Sequence, residues 1–181
     1  MSEFPFPGQT LESAPPVAQR LMKTTASHLG YLPVALARMA VSPQLMDGFL
    51  KTSGLFEQTT LDPLARQTLI MTMAVHNSCH ICVAMHTAAL TRLGAEEGLI
   101  KDLRAGSPVA DERLAALQTF TLEVLETAGA VDDDQLAAFF KHGYTPRNAL
   151  EIVLGIGAYT MSTLANRMTR SPVDDQLSVF A

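Results

Sequence analysis

The chain has 181 residues, of which 48% are hydrophobic and 17% are charged, and its formal net charge is -5. This length and composition predict one globular domain with a sizeable core. The acidic balance argues against nucleic-acid or anionic-membrane partners, which select basic surfaces. No apolar run reaches the roughly 18 residues of a membrane span. Because the N-terminus lacks the pattern of a secretory signal, we expect a cytoplasmic protein.

The chain is predicted to be all-α, since apolar residues recur at helical spacing and no segment alternates between apolar and polar residues. Four prolines within residues 1–17 favour an extended N-terminal arm, and residues 18–181 are predicted to form a single helical domain. The helices are predicted at 18–28, 33–40, 43–56, 62–76, 79–93, 95–104, 110–128, 133–142 and 145–169.

Several of these helices begin with a recognisable capping sequence. A capping side chain can accept an orphan backbone N–H, and a proline at the first helical position has no N–H to leave unpaired. Three starts combine these two residues, and a fourth resembles a capping box with Asp132 and Gln135. The three starts are Ser42-Pro43, Asp62-Pro63 and Thr145-Pro146.

The sequence contains a hint of internal repetition. Aligning Pro63 with Pro146 brings apolar residues into register and places Cys79 and Cys82 opposite a serine and an alanine. This register suggests a duplicated helical pair with the reactive residues in one copy only.

The stretch AVHNSCHICVAMHTAAL, residues 74–90, contains both cysteines of the chain. On a helix, Cys79, Cys82 and His86 project within roughly 60° of one another, so they share one face. The preceding Asn77 or Ser78 is predicted to cap the helix, which places Cys79 in its first turn. A helix N-terminus favours a thiolate over a thiol, and a histidine one turn away can exchange a proton at neutral pH.

Three readings of this stretch remain open from the residues alone. A reducing compartment and the spacing favour a redox-active dithiol. Two cysteines can also be buried core residues. A zinc site formed by His76, Cys79, Cys82 and His86 is the third reading, but four ligands from one short segment cannot easily surround a tetrahedral ion.

The sequence LDPLARQTLIMTMAVHNSCHICVAMHTAALTRLG resembles the AhpD-like alkylhydroperoxidase branch of the carboxymuconolactone decarboxylase family. The shared signature is Cys-x-x-Cys-x-x-x-His, with a glutamate twelve residues before the first cysteine. The segments GYLPVALARMAVSPQLMDGFL and ALEIVLGIGAYTMSTLANRM also resemble the family, so the likeness extends over about residues 28–170. It implies an all-helical fold and assembly into dimers, trimers or hexamers.

The resemblance further implies a thiol-dependent hydroperoxide reductase that serves antioxidant defence. Cys82 would attack the hydroperoxide, Cys79 would resolve the product as a disulfide, and His86 would relay protons. The enzyme would need no metal or organic cofactor, only a dithiol reductant such as a lipoyl-bearing or thioredoxin-like protein. Alternatives are a thiol–disulfide oxidoreductase or redox sensor, and a non-catalytic assembly protein with buried thiols.

The departure from the family pattern is Gln67, which stands twelve residues before Cys79 where the family has glutamate. A glutamine can orient a histidine but cannot accept a proton as a base, so reduced activity is expected. Candidate substitutes for the missing carboxylate are His76, His80, Glu57 and Glu151, with His80 expected to face solvent or a partner.

Two residues of the last predicted helix are expected to have structural roles. Tyr159 is read as a packing residue. Arg167 is expected in a structural or intersubunit ion pair.

Overall fold

The computed structural model describes residues 5–181, and this part of the chain contains helices but no β-strand. Within it, nine α-helices and one 3-10 helix follow one another. They are α1 (Pro16–Leu29), α2 (Val34–Met39), α3 (Pro43–Phe56), α4 (Pro63–His76), α5 (His80–Arg92), α6 (Glu97–Ala105), α7 (Glu112–Glu126), α8 (Asp133–Lys141), α9 (Pro146–Met168) and the 3-10 helix (Asp175–Phe180). The all-α prediction is confirmed, and each predicted helix is present with ends that differ by at most two residues.

The four predicted capping signals are also confirmed. The side chains of Ser42 and Asp62 accept hydrogen bonds from backbone N–H groups in the first turns of α3 and α4. Asp132 and Thr145 each form a capping box at the starts of α8 and α9. These local bonds set where the helices begin, before any tertiary contact is considered.

Helix α4 lies at the centre of the molecule and contacts α5, α7 and α9. Helix α3 packs against α9. Most residues between Ala65 and Ala74 are buried, so this helix is apolar on nearly every side. Gly155 of α9 permits a close approach to α3, because a Cβ at this position would lie only 2.6 Å from the ring of Phe56. The packing of these buried side chains therefore sets the distances between α3, α4 and α9.

A second core cluster joins α1, α2 and α3 through fully buried side chains such as Met22 and Met46. It positions the N-terminal helices over the side of α9 that carries Tyr159 and Ala165. This cluster matters for function because α1–α3 supply one wall of the cavity described below.

The N-terminal arm, the C-terminus and the suggested repeat are the regions where the structure adds to or departs from the sequence-based predictions. Residues 5–15 form turns and irregular segments before α1, whereas residues 1–4 of the proposed arm lie outside the described part of the chain. The 3-10 helix at the C-terminus was not predicted, and it packs on α5. Pro63 and Pro146 both begin helices, but the chain breaks between α4 and α5 while α9 runs unbroken through the corresponding positions. The second stretch of the suggested repeat therefore holds one long helix where the first holds two.

None of the helices among the described residues combines the length and the hydropathy that crossing a lipid bilayer demands.

Candidate dithiol site

The two cysteines follow a tight turn between α4 and α5. The Cys79 N–H donates to the carbonyl of Ala74 at 2.7 Å, and Ser78 adopts the left-handed conformation with φ of 51°. The prediction that Asn77 or Ser78 caps α5 is wrong. Asn77 ends α4, and Cys79 itself occupies the cap position without a side-chain cap hydrogen bond.

Helix α9 holds this turn in place from the other side. The Asn77 amide donates to Oγ1 of Thr163 at 2.8 Å. Arg167 donates to the carbonyl oxygens of Asn77 at 2.7 Å and Ser78 at 3.2 Å. Among residues 5–181, these backbone hydrogen bonds take the place of the structural ion pair expected for Arg167, and the intersubunit ion pair stays a prediction.

Cys79 and Cys82 form a disulfide, with their Cα atoms 5.3 Å apart. Cys79 is 1% exposed and Cys82 is 3% exposed. As the cap and third residues of α5, both lie where backbone N–H groups and the helix dipole stabilise negative charge. The first turn of α5 therefore suits thiolate chemistry at either sulfur.

A cavity of about 210 Å³ opens beside Cys82 but not beside Cys79. Helices α1, α2 and α3 supply a mainly apolar wall that includes Leu36, Met39 and Phe49. The opposite wall is more polar and comes from α5 and α9. A larger hollow of about 380 Å³ lies between α7 and α8, but no cysteine lines it, so the smaller cavity is the candidate site.

His86 lies in the polar wall, one turn after Cys82, and is partly buried. Its Nδ1 is 2.8 Å from Oε1 of Gln67, which can only accept, so Nδ1 carries the proton and Nε2 keeps a free lone pair. The ring packs edge-on against Tyr159, with centroids 5.6 Å apart. Burial, assisted by the positive charge of Arg92, lowers the pKa of His86 to about 4. The imidazole is therefore neutral at physiological pH.

Gln67 also lines a second, shallow cleft together with Glu57, Arg66 and Arg92. Glu57 pairs with Arg66 at 3.1 Å. The glutamine thus stands between the His86 ring and a charged surface cleft. Glu57 is the carboxylate that shares this cleft with Gln67, although it does not line the Cys82 cavity.

The other predicted substitutes for the missing glutamate lie elsewhere. His76 is exposed at the end of α4 and His80 is exposed at the start of α5, and neither lines the cavity. Glu151 is bound by Thr60 and Arg147, with contacts of 2.7–3.0 Å, at the start of α9. It therefore fixes the connection before α4 rather than the cysteine pair.

Two residues of the polar wall had no functional role in the sequence analysis. Asn166 of α9 donates from Nδ2 to the sulfur of Cys82 at 3.4 Å. Tyr159 of α9 touches His86, and burial raises the pKa of its hydroxyl, which therefore stays protonated. Both residues lie more than seventy positions after Cys82, in a segment that the family resemblance covered without assigning either residue a role in the reaction.

The described residues contain no ligand cluster that would support the zinc interpretation. In residues 5–181, no three His, Cys, Asp or Glu side chains are grouped as ligands for a metal ion. Cys82 and His86 both line the cavity from α5, whereas Cys79 lies at the cap of α5 and does not line the cavity. The bonded cysteine pair fits a redox function.

Comparison with known proteins agrees with this geometry. The carboxymuconolactone decarboxylase family model matches residues 43–120, which include both cysteines, Gln67 and His86. No curated protein matches the chain.

Three solved structures are similar over nearly the whole chain. The AhpD core of an uncharacterized peroxidase-related protein from Ralstonia eutropha JMP134 has a TM-score of 0.84 at 17% identity, covering 98% of this chain and 96% of that one. An uncharacterized peroxidase-related protein from Silicibacter sp. TM1040 has a TM-score of 0.78 at 17% identity, covering 97% and 95%. A cysteine-to-alanine variant of the debrominase Bmp8, in complex with 2,3,4-tribromopyrrole, has a TM-score of 0.76 at 15% identity, covering 99% and 96%.

At these identities the solved structures establish the fold, while the family model accounts for the segment that carries the cysteine motif. Residues 43–120 thus match the carboxymuconolactone decarboxylase family, and the described part of the chain has the AhpD-like all-helical fold.

Proposed function

We propose that this protein is a thiol-dependent hydroperoxide reductase that serves antioxidant defence. The observation that carries the proposal is the asymmetry of the cysteine pair. Cys82 faces a cavity that a small molecule can enter, and Cys79 lies behind it at disulfide-bonding distance without access to that cavity. This arrangement suits one attacking and one resolving sulfur.

The proposed reaction begins with the reduced dithiol. The Cys82 thiolate attacks the terminal oxygen of a hydroperoxide ROOH, so that an S–O bond forms, the O–O bond breaks and an alkoxide leaves. Cys79 then attacks the Cys82 sulfur, an S–S bond forms, and the hydroxyl leaves as water with the Cys79 proton. The sum is ROOH plus two thiols giving ROH, water and one disulfide. An external dithiol restores the pair by thiol–disulfide exchange.

Proton transfer in this scheme falls to His86 and Tyr159. The free Nε2 of the neutral His86 can take the Cys82 proton and return it to the leaving alkoxide. The Tyr159 hydroxyl stays protonated and can donate a hydrogen bond to the same oxygen. Because Gln67 offers no negative charge, the imidazolium form of His86 is poorly stabilised and this base is weak.

The burial of both sulfurs bears on the reductant and on the rival functions. A protein disulfide cannot approach sulfurs that are 1% and 3% exposed without local opening, whereas a slender dithiol such as a lipoyl group can enter the cavity. This favours a lipoyl-type reductant over a thioredoxin-like partner. The burial of both sulfurs also disfavours the alternative function of a thiol–disulfide oxidoreductase that acts on folded proteins.

We further propose that the protein is a homo-oligomer that assembles through the outer face of α9. Four large apolar side chains, Leu150, Val153, Leu164 and Met168, are 50–73% exposed along this face. From Ile152 to Asn166 the helix carries no charged residue, although a solvated helix face normally does. A second copy of the same chain would cover this stripe with an equally apolar one.

The experiment that tests the proposed function measures consumption of an organic hydroperoxide with dihydrolipoamide as the reductant. Wild type should turn over and Cys82→Ser should be inactive, while Cys79→Ser, treated with the hydroperoxide in the absence of reductant, should consume about one equivalent and stop at the sulfenic acid. His80→Ala is the matched control, because this imidazole lies between the two cysteines in sequence but faces solvent. Wild-type protein that exchanges disulfides rapidly without reducing hydroperoxide would instead identify an oxidoreductase.

A further inference from the structure

Asn166 contacts the reacting atom of the candidate site. It lies on α9, is 5% exposed, lines the cavity and donates from Nδ2 to the Cys82 sulfur at 3.4 Å. An N–H donor beside this sulfur stabilises a thiolate more than a neutral thiol, because a hydrogen bond to a charged acceptor is the stronger one.

The other end of the same amide is unused. Oδ1 of Asn166 is buried and accepts no hydrogen bond from any group within residues 5–181. Buried polar atoms in folded proteins nearly always have partners, so an exception next to a reactive sulfur requires an explanation. An acceptor kept free at this point is suited to a donor that arrives with the substrate.

A second buried asparagine on the same helix shows what a purely structural role looks like. Asn148 is 8% exposed, and its Oδ1 accepts from the N–H and the hydroxyl of Thr145. Its Nδ2 donates to Thr60 and Glu151. Every hydrogen-bonding end of Asn148 is therefore occupied by the protein, in contrast to Asn166.

The chemistry of the proposed reaction supplies the missing donor. The terminal oxygen of a hydroperoxide carries a hydrogen, and it keeps that hydrogen when it moves to the sulfur to give Cys82–S–OH. One O–H group is therefore present beside the sulfur before and after the O–O bond breaks. A fixed amide with its donor on the sulfur and its acceptor beside it can bind both reacting groups.

We propose that Asn166 is a catalytic residue whose Nδ2–H stabilises the Cys82 thiolate and whose Oδ1 accepts a hydrogen bond from the O–H of the incoming hydroperoxide. This inference rests on the proposed function and deepens it. The site then selects electrophiles that bring a hydroxyl on the attacked atom. Electrophiles without one, such as thiosulfonates, gain nothing from Oδ1.

The test uses a Cys79→Ser background, in which the reaction stops at the Cys82 sulfenic acid. For each variant, the thiolate fraction is followed by its ultraviolet absorbance as a function of pH. Single-turnover rates with cumene hydroperoxide and with methyl methanethiosulfonate are then divided by that fraction. Dividing each rate by the thiolate fraction removes any rate change that arises only because a variant alters the amount of thiolate.

Asn166→Leu removes both ends of the amide at similar volume. The thiol pKa should rise, and the hydroperoxide rate per thiolate should fall about 2- to 10-fold, the factor expected for one hydrogen bond from a neutral O–H group. The thiosulfonate rate per thiolate should be no lower than in the parent. Asn166→Asp keeps the acceptor and loses the donor, so it should raise the thiol pKa but retain more of the preference for hydroperoxide than Asn166→Leu.

Asn148→Leu is the structural control. It should lower the melting temperature while leaving the thiol pKa and the ratio of the two rates unchanged. Equal losses of both rates in Asn166→Leu, or no loss of either, would overturn the inference. A Cys79→Ser parent that does not react with hydroperoxide at all would overturn the proposed function instead. In that case an unchanged thiol pKa in Asn166→Leu would also reject the proposed stabilisation of the Cys82 thiolate by Asn166.

Discussion

Restoring the family glutamate by Gln67→Glu should strengthen His86 as a base. In the present structure, Oε1 of Gln67 accepts from Nδ1 of His86 at 2.8 Å, and burial with the charge of Arg92 lowers the pKa of His86 to about 4. A carboxylate in place of the amide would add a full negative charge at the same contact. That charge favours the imidazolium form of the ring.

The size of the effect follows from the geometry. Opposite unit charges about 4 Å apart interact by roughly 4 kcal/mol at an effective dielectric constant of about 20, which corresponds to about 3 pKa units. Burying the new carboxylate between α4 and α5 cancels part of this gain. We therefore expect the pKa of His86 to rise by about 2 units, to roughly 6.

The assay is a pH titration of the histidine ring signals by NMR, with His86→Gln identifying the signal. Gln67→Met is the matched control, since it removes the acceptor without adding charge and should leave the His86 pKa at or below its wild-type value. If the proposed function holds, Gln67→Glu should also raise hydroperoxide turnover at neutral pH by about tenfold. A wild-type His86 that titrates near 6.5, or a Gln67→Glu variant with no upward shift, would refute this reasoning.

The same pKa has a consequence for stability. The folded value of about 4 lies below the unfolded value of about 6.5, so between these limits the unfolded chain binds the proton first. The free energy of unfolding should therefore fall as the pH drops from about 6.5 to 4, by about 2 kcal/mol from this residue after allowance for its partial exposure. Urea unfolding of wild type and His86→Gln across this range measures the contribution, which should be absent from the variant.

Three further predictions concern packing, the turn and assembly. Gly155→Ala should destabilise the fold by about 1–3 kcal/mol, since the new Cβ would lie 2.6 Å from buried Phe56. Gly54→Ala, in open space on α3, should instead stabilise the fold by up to about 1 kcal/mol. Chemical denaturation of the two variants and wild type measures both changes. Arg167→Leu should loosen the turn before Cys79 and speed amide exchange there, and unchanged protection would mean that the turn holds without Arg167. Leu164→Glu should shift the protein to smaller species in light scattering if α9 is the assembly surface, and an unaltered mass would place the interface elsewhere.

The sequence determined the secondary structure of this protein almost completely, because its signals are local. The capping residues Ser42, Asp62 and Thr145 bond to N–H groups three positions away, and such bonds need no distant partner. The position of His86 one turn after Cys82 likewise follows from helical geometry alone. The contact between Gln67 and His86 matched a spacing that the family resemblance had already indicated.

Tertiary structure decided the features that connect distant segments. Asn166 reaches the Cys82 sulfur across 84 positions, and Arg167 reaches the turn at Asn77 across 90. The local pattern of α9 does not show which distant groups these two residues contact. Even the cap of α5 was predicted wrongly, because hydrogen bonds from α9 occupy the turn where a local cap was expected.

The physical division is therefore one of range. Local hydrogen bonds and helical periodicity specify which residues form each helix and place the dithiol at the start of α5. The environment of that dithiol depends on how α1–α3 and α9 pack around α4, which sets the shape of the cavity, the burial of His86 and the amide beside Cys82. The sequence by itself thus determined that the two cysteines lie close together, and only the packing decided which of them lines the cavity.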